Sequence, residues 1–453
     1  MIEQLKPYPT YRESGLPWLG RIPATWAVAR TKTRFRLSIE KSGKKHGKEL
    51  LSIYSRIGVR PRKDLEARGN KATTTDNYWV VRKGDIISNK LLAWMGAIGV
   101  SHYDGVTSPA YDILRPVQPL ESDYYHHLFR TELYLQQFKI RSRGIMDMRL
   151  RLYFDQLGQI PIPCPSLEEQ RLMVRFLRHV NGRINQLVLA KKKLISLLNE
   201  QKHTITYQVV TRGLNSTASF KQSNIPWLGS IPEHWALKKI REVATVINGY
   251  PFDSSRFSNI AGHPLIRIRD LNQAQTVALY NGPFVESARV EPGDVLIGMD
   301  GEFNVGSWAG CQPALLNQRM CCIRGRNKQL SNFLQCVLPY PLKMINEMTA
   351  STTVKHLASA EVERIVFGCP PDSEQEAIVN YVHNATKSIA IAISRLNREI
   401  NFLHEYQKRL VVDIVTGKLD TRQAAEKLSV EVEILAEDIA EEIIEEEEVV
   451  DAE

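Results

Sequence analysis

Several stretches of this chain mix basic side chains with small polar ones. Arg56, Arg60, Arg62, Lys63, Asn70, Lys71, Thr74 and Asn77 follow one another closely, and Lys90 stands a little further on. Arg141, Arg143 and Arg149 crowd a third stretch. The second half carries Arg267 and Arg269, then Asn317 and Arg319, then Thr352 and Lys355. A guanidinium or ammonium group holds phosphate oxygens, and Arg, Asn and Thr can also bond to base edges. The chemistry these sets suit is recognition of a phosphate polymer. Any single member fits a solvated loop equally well, so the sets carry the reading.

No constellation for covalent chemistry accompanies them. The sequence holds no G-x-x-x-x-G-K-[ST] phosphate cradle and no G-x-G-x-x-G turn. Cys369-Pro370-Pro371-Asp372 only superficially resembles a run that holds a base amino group for methylation, and it reads as a loop before a helix. His126-His127 is the closest histidine pair, and it is expected on the surface of a helix. No catalytic residue and no metal ligand is assigned.

Charge separates along the chain. The 453 residues carry 59 Lys+Arg against 50 Asp+Glu, a net of +9. Residues 421–453 hold 13 acidic and 2 basic residues. Residues 16–160 hold 25 basic and 13 acidic, a net of +12, whereas 225–365 hold 14 and 12, a net of +2. A basic body with an acidic tail points to a polyanion partner. No apolar run approaches the roughly 18 residues of a membrane span, and the start lacks the apolar core of a signal peptide. Six cysteines without C-x-x-C spacing fit reduced thiols. The expected location is the cytoplasm, with no membrane partner.

The elements that must position these residues occur twice. Trp18, Leu19, Gly20, Ile22, Pro23 and Trp26 return at an offset of 209 residues as Trp227, Leu228, Gly229, Ile231, Pro232 and Trp235. Gly84-Asp85 returns as Gly293-Asp294. Further on the offset becomes 205, where Cys164-Pro165, Glu169-Gln170 and Val210-Thr211 match Cys369-Pro370, Glu374-Gln375 and Val415-Thr416. Such a period is far too long for a solenoid and reads as a duplicated two-part module.

The first part of each module is irregular, with short β-type runs. The second is helical. Ser166 with Glu169 fits a capping box, and Asp372 with Gln375 can serve the second copy. A 3–4 spacing runs through Leu177, Ile184, Leu187, Leu194 and Leu198, and again through Val382, Ile389, Leu396, Leu403 and Leu410. Lys191 and Glu399 interrupt it. The two seams share register and length, which favours mutual pairing over separate packing on the irregular parts.

Further motifs complete the pattern: Ile247-Asn248-Gly249-Tyr250-Pro251-Phe252, Pro264 to Leu271, Thr352 to Leu357, Asn77-Tyr78-Trp79 and Ser108-Pro109-Ala110-Tyr111. Residues 14–420 thus resemble the DNA-specificity subunit of a type I restriction–modification system. The resemblance implies an α+β fold: two mixed α/β target-recognition domains alternate with two long helices paired as an antiparallel coiled coil. The expected boundaries are 1–160 and 216–365 for the recognition domains, 161–215 and 366–420 for the helical regions, and 421–453 for the tail. Each domain would read one half of a split, asymmetric sequence in double-stranded DNA. The helices would fix the spacer and dock two modification (methyltransferase) subunits through the seam residues, and restriction subunits would join. No cofactor is expected on this chain; S-adenosylmethionine, ATP and magnesium would belong to the partners. A DNA-binding enzyme with its own active site and a coiled-coil scaffold are the competing readings.

Overall fold

Short apolar strands, too brief to be stable alone, are paired into matching sheets in the two halves of the chain. The computed structural model describes residues 5–44, 47–55, 57–64, 75–144, 150–348 and 355–428. They form two compact units: the residues up to Lys193 with those from Leu396 onward, and Leu194–Arg395.

In the first unit, β1 (Phe35–Ser38), β2 (Ile86–Asn89), β3 (Ile98–Val100) and β4 (Tyr111–Pro116) form a sheet in the order β1-β4-β2-β3. The long helix α1 (Leu167–Arg212) follows and runs from the first unit into the second. In the second unit, β5 (Ala244–Asn248), β6 (Val295–Gly298), β7 (Val305–Ser307) and β8 (Met320–Gly325) repeat the order as β5-β8-β6-β7. The register repeats as well. Ile113 faces Ser38 and Ile87 in the first sheet; their counterparts Cys322, Ile247 and Leu296 face one another in the second. The helix α2 (Asp372–Val415) closes the repeat.

A second strand pair ties each recognition part to its helix. Ala27–Arg30 pairs with Pro161–Cys164, and Ala236–Lys239 with Val366–Cys369, in the same antiparallel register. Gln170 and Gln375 then lock the strand-to-helix corner by donating Nε2 to the carbonyls of Pro165 and Pro370, at 2.9 and 2.8 Å. The Glu-Gln motif is therefore structural.

Ser166 caps α1 by accepting the amide of Glu169 at 3.2 Å. Asp372 does not repeat this box. It is already the first residue of α2 and turns to Arg326 at 2.7 Å, while Pro371 supplies the carbonyl that receives the amides of Glu374 and Gln375.

The repeated Trp motif packs on a helix end. Trp26 and Trp235 are buried, at 1% and 0% exposure. Trp26 lies against Gly417, just past α2, and Trp235 against Gly213, just past α1. Both glycines hold positive φ, +78° and +71°, as a left-handed residue after a helix does. Within the first unit, Phe176 and Leu177 of α1 share a core with Leu410, Ile414 and Val415 of α2. Asn181 receives Gln407 Nε2 at 3.2 Å, and Lys191 meets Glu399. Residue numbers rise on one helix as they fall on the other, so the pairing is antiparallel. In the second unit, Val209 and Val210 share a core with Ile378 and Val382.

Residues 421–428, grouped with the acidic tail on charge, pack into the first unit. Ala425 and Leu428 belong to its core, and Arg175 donates to the Leu428 carbonyl. Residues 429–453 lie outside the described residues.

Candidate nucleic-acid interface

In the second unit the topology gathers residues that are far apart in sequence. Ile266 and Leu316 pair in parallel, so Arg267 and Asn317 leave the two strands side by side. Asn317 forms a bridge with Tyr250, which is 44% exposed. Arg319 reaches Asp300 at 3.2 Å, and His356 Nδ1 lies 2.8 Å from the other oxygen of that carboxylate. Lys355 donates to the Asn346 carbonyl at 2.8 Å. Four predicted residues thus converge, together with Tyr250, named above only within a motif, and Asp300, which was not singled out. A signal for Tyr250 was present in the glycine before it: just past the strand end, a Cβ on Gly249 would lie 1.8 Å from the Asn317 carbonyl oxygen, and glycine marks such close backbone approaches.

Not every member is free to hold DNA. The Asp270 carboxylate accepts the Arg267 amide at 3.0 Å and lies 3.4 Å from its Nε. Arg267 therefore braces a turn, and exposed Arg269 is the better placed cation.

In the first unit, Arg143 and Arg151 exchange both backbone hydrogen bonds at 2.9 Å, and both side chains are exposed. Leu152 then donates to the Lys90 carbonyl at 2.8 Å. The Lys90 ammonium is engaged twice: it lies 3.3 Å from Asp112 and donates to the Pro109 carbonyl at 2.8 Å. Burial pushes the Asp112 carboxyl above its ordinary value, and the Lys90 charge works against that rise. Lys90 is thus a half-buried ion-pair partner, because an unpaired Asp112 would be costly there. Arg60 donates to Tyr103 Oη at 2.6 Å, and Arg141 donates to Gln137. Lys63 meets Glu49 at 2.8 Å with 68% of its side chain exposed. Arg62 is half-buried, and Asn77 is exposed. Arg56, Asn70, Lys71, Thr74, Arg149 and Thr352 lie outside the described residues.

The helix residues assigned to partner binding divide in two. Leu177, Ile184, Val382, Ile389 and Leu410 are all less than 9% exposed, closed off inside the chain, so they cannot also face another protein. Leu198, Leu396 and Leu403 are half-buried. Leu187 and Leu194, at 51% and 45% exposure, remain open. His126 and His127 also differ from expectation. They are half-buried, and His126 Nδ1 accepts the Val100 amide at 3.3 Å.

Beneath the divergent loops each unit keeps the same internal brace. Asp85 binds Arg115 at 2.8 Å, and Asp294 binds Arg324 at 2.6 Å. Each aspartate also accepts the amide three residues before it, from Arg82 or Glu291.

Residues 232–401 match the family described as the type I restriction modification DNA specificity domain. The chain is 35% identical over 223 residues to the type I restriction enzyme EcoBI specificity subunit of Escherichia coli, covering 49% of this chain and 47% of that protein. It therefore spans about half the length of that relative. It is 22% identical to the MjaVIII specificity subunit of Methanocaldococcus jannaschii over 88% of this chain and 94% of the relative. A solved structure described as the basis of complex assembly and conformational transition of the type I R-M system matches with a TM-score of 0.60 and 16% identity, over 87% of this chain and 98% of that one. That likeness concerns the fold. With the repeated sheets, the paired helices and the matched domain, it leads to one conclusion: residues 232–401 match the type I restriction modification DNA specificity domain, and the chain is similar in sequence and fold to specificity subunits of type I restriction enzymes.

Proposed function

We propose that this chain reads a bipartite, asymmetric sequence in double-stranded DNA and directs modification and restriction subunits to it. The observation that carries the reading is the contrast within the repeat. The sheet register, Asp–Arg brace, Trp motif and Gln corner recur residue for residue, while the strands inserted among those of the sheet differ. In the first unit they form two antiparallel pairs; in the second they form a five-stranded sheet. Like scaffolds suit like partner subunits, and unlike inserts suit unlike half-sites. A homodimer of one reader would instead favour a palindrome.

The chain is a non-catalytic cytoplasmic subunit on this reading. Its modification partners, two in number, would supply S-adenosylmethionine chemistry, and the restriction partners ATP- and magnesium-dependent cleavage. The two recognition domains occupy roughly residues 1–160 and 216–365, and the helices between and after them set the spacer. Exposed Leu187 and Leu194 are the seam residues left for the modification subunits.

Methylome sequencing of cells carrying the complete system tests this directly. One split motif with two unlike halves is expected, and it should vanish when this chain is deleted. Four residues inserted into both helices lengthen each by about 6 Å and should change the preferred spacer. An unchanged spacer removes the ruler. Methyl transfer or DNA cleavage by the purified chain alone would favour the enzyme reading.

A further inference from the structure

We propose that a cavity in the first unit receives a single DNA base swung out of its stack, a role that rests on the DNA-reading function above. The cavity has a volume of about 230 Å³, and its walls include Trp79, Tyr111, Tyr153 and Phe154, with Lys90, Asp112 and Asp155 as the charged groups. It lies below the ~300–1,000 Å³ of drug-sized sites, which suits one ring system better than a whole nucleotide.

Its shape favours an extruded base over a base read in place. Base edges in a duplex lie on the floor of a groove, so projecting side chains read them. A concave pocket walled by aromatic rings fits a base that has left the helix and needs new faces to stack on. The polar groups suit a base edge. An ammonium group has three donors. Lys90 commits two, to Asp112 and Pro109, and keeps one for a ring nitrogen or carbonyl oxygen. The Asp112 carboxylate, which receives Lys90 and the Phe154 amide, is an acceptor for an adjacent ring or amino N–H.

The mouth suits nucleic acid. Ile39 and Tyr153, at 63% and 39% exposure, line it. Arg151 Nη1 lies 3.5 Å from Tyr153 Oη, exposed Arg143 faces Arg151 across their bridge, and exposed Lys41 pairs with Trp79. Cations therefore stand where a backbone would pass while its base enters.

The duplication supplies an independent argument. The repeat places Met299, Met320 and Cys321 where the first copy has Lys90, Tyr111 and Asp112. All three are buried core residues of the second unit. The scaffold thus does not need Lys90, Tyr111 and Asp112, because the second copy fills their places with buried side chains that carry no charge. This is expected of a feature that reads one half-site.

The test uses the full chain assembled with its modification subunits and bound to its target duplex. Each base pair of both half-sites is replaced in turn by a mismatch, which lowers the cost of extrusion. One position in the first unit's half-site, distinct from the methylated base, should bind roughly tenfold more tightly when mismatched. Tyr153→Ala, which opens the wall, and Ile39→Trp, which fills the mouth, should both abolish that gain. Both side chains are exposed, so folding should persist. The methylated base, extruded by the modification subunit, should keep its response in both variants. If no position beyond the methylated base tightens, or the gain survives both variants, the pocket holds no base. If the unsubstituted complex fails to prefer its target over a scrambled duplex, DNA reading itself fails, and the pocket's role falls with it.

Discussion

Lys191 and Glu399 stand where the apolar spacing of α1 and α2 breaks, and they meet: Nζ lies 2.5 Å from Oε2. Each looks like a flaw in its own helix, and together they are one polar contact across the pair. Such contacts can fix register at some expense of stability. Glu399 is 53% exposed, so the direct stabilisation is small. Lys191→Ala or Glu399→Ala should cost about 0.5 kcal/mol, with a coupling of similar size in a double-mutant cycle by urea unfolding. Replacing both with leucine should raise stability.

The Asp85–Arg115 and Asp294–Arg324 braces should differ in strength. Arg115 is 12% exposed and Arg324 37%. Asp85→Ala leaves the Arg115 guanidinium with the exposed Glu40 carboxylate and the Val80 carbonyl as its partners, and should cost about 2 kcal/mol. Asp294→Ala should cost less, because water reaches Arg324. Chemical denaturation of the full chain, followed by tryptophan fluorescence, measures both.

The helix-end glycines give a second graded pair. A Cβ on Gly417 would lie 2.4 Å from Pro23 Cδ, whereas at Gly213 the nearest atom is Glu374 Oε1 at 3.0 Å. Both substitutions to alanine meet the left-handed penalty of roughly 1–2 kcal/mol. Gly417→Ala should add about 1–3 kcal/mol of overpacking. Thermal unfolding should rank Gly417→Ala below Gly213→Ala.

Exposed arginines should report phosphate contact. Arg143→Ala or Arg269→Ala should weaken binding similarly across sequences and lower the slope of log K against log salt by about 1. Arg267→Ala should instead disturb recognition of one half-site through its turn, with little change in slope. Binding titrations at several salt concentrations separate the two outcomes.

Acid should loosen the first unit. Burial holds His127 down to about 4 and pushes His126 well below its ordinary value, with Arg130 adding to the effect on both and Asp123 opposing it. The unfolded chain then takes up protons from about pH 6.5 downward, before the folded chain does. Stability is full above that pH and falls toward pH 4. His127→Asn should flatten the loss by on the order of 1 kcal/mol at pH 5, seen in unfolding curves at pH 5 and 7.

The sequence alone determined the duplication, the two long helices and the cationic character of the inserts. These are properties of order along a chain: an offset, a spacing and a charge count. Only the tertiary structure decided which cations are available. Arg267 and Lys90 look no different in sequence from Arg269 and Arg143, yet Asp270 and Asp112 engage the first two. It also decided that Leu177 and Val382 are closed off inside the chain while Leu187 stays open, since a 3–4 stripe names a face without naming what covers it. The aromatic pocket was hidden for the same reason. Trp79, Tyr111 and Tyr153 are spaced widely along the chain, and the fold brings them to one cavity. Hydrogen bonds and burial depend on neighbours in space, which a linear pattern does not list.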